Sequence, residues 1–291
     1  MVKHNRVTTT LVLALAAGAG SSAPGRSDRA DPLAVFTHRW SRDRIWDDGK
    51  AEYCLYDSTG TIYGIHRHYQ ARLYTNKEVA DPRTKTKSQT HRGRQVFKHH
   101  LVEVIATENY DYKFSTMCYV GVRDLKSLKI DMSTQDDCGA SFKQFVNHAG
   151  TLSWNSFVYF PGAGHQHGHY EPPAGFAFQD ALSLILRGYP FQNPVEPFEL
   201  QLLPDQTSPR ITSAQPGPAV VTYGGTADLD LPIGKVKAHL LTVRQLPHVV
   251  HDYWFAVSPQ RPWLHVMVQY EGPGGVTHRL REHRRWAYWK R

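Results

Sequence analysis

The residues best suited to chemistry are three imidazoles in the run His165-Gln166-His167-Gly168-His169-Tyr170. At positions i, i+2 and i+4 they can converge on Zn²⁺, Cu²⁺ or Ni²⁺ if the chain curls, and Gly164 and Gly168 permit that curl. In an extended strand the same spacing places all three on one face. Glu171 adds a possible oxygen ligand. His165, His167 and His169 are therefore the candidate metal ligands, and a metal-dependent hydrolase built on them is one functional reading. A second set, His66, His68 and His99, needs convergence in three dimensions. Asp136-Asp137-Cys138-Gly139 sets two carboxylates beside a thiol. Those carboxylates would raise the thiol pKa rather than activate it, so the run reads as a structural turn and no catalytic residue is assigned. There is no Gly-rich phosphate loop, GxSxG elbow, HExxH or dinucleotide fingerprint.

A different chemistry is suggested by the aromatic residues of the last hairpins. Trp254, Phe255, Trp263, Leu264 and Val266 fall in short apolar runs near the C-terminus. Such residues can flank or line a hollow for an acyl chain. Strand alternation allows only about half of them to point inward. The basic run from Arg279 to Arg291 could meet an anionic membrane surface or an acidic polysaccharide.

The elements that must position these groups are mostly strands. Glu52–Tyr56 and Thr61–Tyr74 alternate around the turn residues Asp57-Ser58-Thr59-Gly60. Residues 81–94 are polar and read as an exposed loop. Val96–Ala106, Tyr110–Val122 and Leu125–Met132 are rich in aromatic and β-branched residues. Gly162–Pro173 reads as an irregular, His-rich loop. Phe176–Leu186 has a helical apolar stripe. Pro-rich loops are expected at 190–197 and 204–218. Strands return at Ala219–Tyr223, Val236–Gln245, Tyr253–Ser258, Trp263–Glu271 and Val276–Trp289. A short helix over Ala34–Trp46 would lead into the fold. The class expected is mainly β, α+β: a curved antiparallel sheet or half-barrel wrapped around one helix.

Composition fits an exported globular protein. The chain has 291 residues, 41% of them hydrophobic, and a net charge of +8 before its 17 histidines are counted. That is enough apolar material for a sizeable core, which excludes wholesale disorder. Lys3 and Arg6 precede the apolar run Leu11–Ala17, and Ala17-Gly18-Ala19 offers a cleavage site. The expected organisation is a signal peptide at 1–19, a flexible tail at 20–33 and one β-rich domain at 34–291, with an internal boundary near 190–218 as an alternative. The apolar run is too short to span a membrane and no Cys follows it, so a periplasmic or extracellular protein without a lipid anchor is expected. Nucleic acid is not an expected partner in that compartment. The three cysteines, Cys54, Cys118 and Cys138, allow one disulfide. Cys118 and Cys138 pair best on spacing, yet Cys54 and Cys118 sit in apolar strand runs as small hydrophobes, and no essential disulfide is expected.

Three segments carry a resemblance. They are Asp252-Tyr253-Trp254-Phe255 with Pro262–Val266 and Gly274–Trp289, then Thr107–Met117, then Ser133–Phe142. Together they resemble an uncharacterised exported bacterial family of unknown function. The C-terminal half is similar to half-barrel proteins related to the periplasmic lipoprotein-localisation carriers. The resemblance loosely covers residues 50–289. It implies a non-enzymatic envelope protein whose cupped sheet binds a lipid or a lipidated partner. This chain differs from the carriers in its polar insertion at 81–94 and its His-rich segment. A structural envelope protein without a small ligand is the remaining alternative.

Overall fold

A computed structural model describes residues 31–290 except His91, Cys138, Leu246 and Pro262. The segment 1–19 expected to direct export, and most of the tail at 20–33, lie outside the described residues.

Alternation of inward apolar and outward polar side chains generates a long antiparallel meander. Its strands are β1 Ala51–Ile62, β2 Ile65–Ala80, β3 Arg94–Ala106, β4 Asp111–Gly121, β5 Ser127–Asp136, β6 Gly139–His148, β7 Thr151–Val158 and β8 Gly164–Tyr170. After a crossing segment come β9 Phe176–Phe178, β10 Phe198–Leu203, β11 Gly217–Leu231, β12 Gly234–Gln245, β13 Val249–Ala256, β14 Met267–Gly272 and β15 Val276–Trp286. All 15 belong to one sheet in the order β8-β7-β6-β5-β4-β3-β2-β1-β15-β14-β13-β12-β11-β10-β9. The protein is mainly β, with a single curved, unclosed sheet around a ten-residue helical stretch. Only β9 pairs in parallel, with β10. Residues 190–218 contain β10, which is hydrogen-bonded into this same sheet.

The helical stretch runs through a 3-10 turn at Gln179–Ala181, the α-helix α1 at Leu182–Ile185 and a second 3-10 turn at Leu186–Gly188. It begins three residues later than the apolar stripe predicts. Phe176–Phe178 instead pair with Gln201–Leu203 as a strand, because three buried residues in a row satisfy a sheet better than one helical face. Leu182, Leu184, Ile185 and Leu186 are all fully buried, so the helix is enclosed by the curve rather than lying on it.

Its few polar residues act as spokes to the surrounding strands. Arg187 makes a bidentate ion pair with Glu52 of β1 at 2.6 and 3.2 Å. Burial alone would raise Glu52, but the guanidinium, and then His283, hold it well below the usual carboxylate range. Arg187 also lies over the rings of Trp40 and Trp46. Ser183 is hydrogen-bonded to His99 of β3 at 2.7 Å. Gln179 donates to His251 of β13 at 2.9 Å. Without these partners each group would carry a desolvation cost of several kcal/mol at most and about one at least.

Other expectations are corrected locally. Gly162–Pro173 is not irregular throughout: seven of its residues form β8, paired in register with β7. Residues 34–46 contain only two short 3-10 turns, Pro32–Val35 and Arg44–Asp47. The strand expected from Trp263 starts at Met267. Trp263 is instead pinned outside the ladder by its indole N–H, which donates to Asp43 at 2.8 Å. Cys54 and Cys118 are buried free thiols, and Cys138 lies outside the described residues.

Candidate functional site

The concave face does not fill completely. Side chains of β1–β4, β13–β15, the start of the helical stretch and residues 205–210 enclose a cavity of about 410 Å³. That volume falls within the range of small-molecule sites. The register shows how the strands build it. His99, Leu101, Glu103 and Ile105 of β3 face Cys118, Thr116, Phe114 and Tyr112 of β4 on the inner side. Leu73, Leu101, Ile105, Phe114, Met267 and Val276 supply apolar wall, and Tyr69, Tyr253 and Tyr270 supply aromatic wall with hydroxyls.

Polar groups collect around the helix start. The Thr207 hydroxyl donates to Asp180 at 3.1 Å and is hydrogen-bonded to Thr116 at 2.8 Å. The Gln206 backbone N–H also donates to Asp180, at 3.2 Å. Asp180 is enclosed by protein yet touches the cavity, where burial first and the adjacent Asp205 carboxyl second push its pKa well above the carboxylate range. Asp180 therefore favours its protonated form beside Asp205. Glu103 is buried in the wall and hydrogen-bonded with Tyr69; burial pushes it up to about 7 against that hydrogen bond. His278, hydrogen-bonded to Ser58 at 2.8 Å, is lowered to about 4 by burial and stays neutral. At neutral pH the pocket thus presents hydroxyls, neutral imidazoles and carboxyl groups that donate as well as accept hydrogen bonds.

The cavity is closed on one side by a strap, residues 204–210. Lys143 points inward from β6 and donates to the carbonyls of Gln206, Ser208 and Arg210, the last two at 2.8 Å. Burial lowers its pKa to about 8 despite nearby Asp180 and Asp205. Ser141 donates to the Pro209 carbonyl on the same strap. Lys143 is spent on backbone carbonyls and is not part of the cavity wall.

The residues singled out from the sequence lie elsewhere. Phe255 is fully buried in the core beside Phe191, at a ring distance of 5.7 Å. Trp254, next along β13, is half-buried on the opposite face. Trp263 carries the Arg39 guanidinium 3.5 Å over its ring. Leu264 and Val266 line a second hollow of about 330 Å³ with Ile233, Val236, Leu280 and Arg285. None of the five lines the larger cavity. His165, His167 and His169 are exposed on the convex face of β8, as strand alternation requires. His66 and His68 are also exposed on β2, whereas His99 is buried on the inner face and lowered to about 3, so these three do not converge.

Among the described residues, Glu52, Cys54 and His283 bring three potential ligand atoms within 4.8 Å of one another. Glu52 is already neutralised by Arg187, and burial pushes the Cys54 thiol up, so this group fits a hydrogen-bonded core better than a metal. The C-terminal arginines are largely engaged: Arg281 pairs with Asp57, Arg284 with Glu282 and Arg285 with Asp48.

Glu103, Asp180, Asp205, Tyr69, Thr116 and Thr207 were not legible as a site. A signal existed for one of them, Glu103. In the inward row Phe97-His99-Leu101-Glu103-Ile105, polar residues interrupt positions reserved for core, which marks either a buried network or a cavity.

No protein-family model matches the chain, and no curated protein matches its sequence. Among solved structures it is similar to the crystal structure of a beta-barrel-like protein of a domain of unknown function (DUF1849) from Brucella abortus. The TM-score is 0.48 and the identity 6%, over 81% of this chain and 98% of that one. The curved sheet described above rests on its own strand order.

Proposed function

We propose that this protein is an exported, non-enzymatic β-protein of the bacterial cell envelope that holds a lipid, or the acyl chain of a lipidated partner, in its concave cavity. The observation that carries the reading is the cavity of about 410 Å³, walled mostly by apolar and aromatic side chains, with a cluster of polar groups where the helix start meets residues 205–210. That is the layout an amphiphile requires: chain against the wall, head at the polar cluster. Each methylene removed from water contributes roughly 0.8 kcal/mol, so about ten of them give roughly 8 kcal/mol before the costs of association. The similarity, read from the sequence, of the C-terminal half to half-barrel proteins related to the lipoprotein-localisation carriers supports the same reading. The basic segment Lys3–Arg6, followed by Leu11–Ala17, supports export.

Native mass spectrometry of untagged protein purified from its own host tests it. A stoichiometric adduct with the mass of a lipid, lost on delipidation and regained with extracted lipid, is the expected result. A spectrum of bare protein that also refuses lipid extract removes the proposal. The metal-dependent hydrolase reading gains nothing from the cavity, because His165, His167 and His169 face away from it across the sheet.

A further inference from the structure

One end of the sheet is β8, whose partner on the inner side is β7 and which has no strand on its other side among the described residues. Free edges usually carry Lys, Pro or inward charges that block pairing with another chain. The edge segment Gly164–Tyr170 contains none of these. Its sequence is also nearly symmetric about His167: His165 and His169 lie two residues to either side. An antiparallel two-fold pairing of β8 with β8 of a second copy is self-complementary in that register, as an isologous interface must be. His165 would then face His169 of the second copy, and His167 would face His167 of the second copy. Facing Cβ atoms in such a ladder are about 4.5–5.5 Å apart.

One copy cannot complete a three-imidazole site. In the strand His165 and His169 are about 13 Å apart at the backbone. They do not join any group whose ligand atoms lie within 4.8 Å of one another. Adjacent rings are closer: His165 and His167 have ring centroids 5.3 Å apart. One strand therefore offers two imidazoles, and a tetrahedral ion needs ligands from elsewhere. The His165 ring is already oriented, stacked on Phe157 at 4.4 Å with 6° between planes. Phe157 and its cross-strand neighbour Phe142 are 48% and 40% exposed and extend an apolar surface beside the histidines.

We infer that β8 is a self-association edge at which two copies of this chain bind a divalent transition metal between their His165, His167 and His169 imidazoles. The two copies supply the ligands together, and the ion locks the strand register.

Sedimentation velocity of the untagged protein, with ZnCl₂ and with EDTA, tests this. The sedimenting mass should double with zinc and return to one chain with EDTA. His167→Ala should prevent the doubling, whereas the double variant His66→Ala/His68→Ala, which alters exposed histidines on β2, should not. Because His167 is exposed, the variant should keep the parent's circular dichroism. An unchanged mass with zinc overturns the inference. So does zinc bound by a single chain without doubling, doubling that persists when all three β8 histidines are alanine, or a mass already doubled in EDTA.

Discussion

Glu103 is a carboxyl group set where strand alternation asks for an apolar residue, and its raised pKa makes it the clearest reporter of the cavity. Its folded pKa of about 7 exceeds the ordinary value of 4.5. The unfolded chain therefore releases this proton first as pH rises, and the stability associated with Glu103 is complete below pH 4.5 and lost as pH passes 7. The loss is about 3 kcal/mol. Glu103→Gln should melt higher than the parent at pH 8 and close to it at pH 4.5, by calorimetry. An equal difference at both pH values would show that Glu103 titrates normally. The buried pair Arg187–Glu52 gives a second test. Arg187→Met should cost about 3–5 kcal/mol in urea unfolding, because buried Glu52 loses its bidentate partner and keeps only His283 beside it. Adding Glu52→Gln should recover most of that; no recovery would mean the arginine acts by packing on Trp40 and Trp46 instead. Neither residue stands out in the sequence. The histidines of β8 do, and their shared face follows from spacing. Glu103, Asp180 and Asp205 are far apart in sequence, and only tertiary closure brings their carboxyls to one hollow.

At the level of elements, the strap at 204–210 decides whether the cavity is closed. Its apolar content is low, and it is held mainly by Lys143, Ser141 and Thr116 reaching from strands β4 and β6. Lys143→Met removes three donors at once. Hydrogen exchange at Gln206 and Thr207, whose N–H groups bond Asp180 and Asp205, should then quicken by at least tenfold while β12 amides are unchanged. Equal exchange in both proteins would show that the strap stands without the lysine. The strand meander was legible because alternating runs are separated by turn residues such as Gly272–Gly275, although Asp57–Gly60, expected as a turn, lies inside β1, paired with β2, and the chain reverses at Tyr63-Gly64 instead. Two elements were less so. β8 carries glycines and histidines that weaken its strand signature, yet β7 supplies a ladder, and Gly168 is needed there because a Cβ would meet the Trp154 indole Nε1 at 2.8 Å. The helical segment reads as one stripe from Phe176, but its first three residues find a parallel partner 25 residues later in β10.

For the whole molecule, one sheet curls around an apolar helix and leaves a hollow beside the helix start. The curved half-barrel was readable from the strand meander and the lone apolar helix. The place of the hollow was not, because it depends on which concave positions the helix leaves uncovered. Trp263 is held away from the hollow by Asp43 and Arg39, and Trp254 faces the other side of β13. The central claim is that the hollow takes an acyl chain. Calorimetric titration of delipidated protein with a twelve-carbon monoacylglycerol, whose uncharged head avoids repulsion with the cavity carboxyls, tests it most directly. The account predicts saturable binding at one site per chain, weaker than the roughly 8 kcal/mol of methylene burial by the cost of association, and abolished by Leu101→Trp, which fills the cavity without disturbing the strand ladder. Binding that is absent, or that survives Leu101→Trp unchanged, would contradict it.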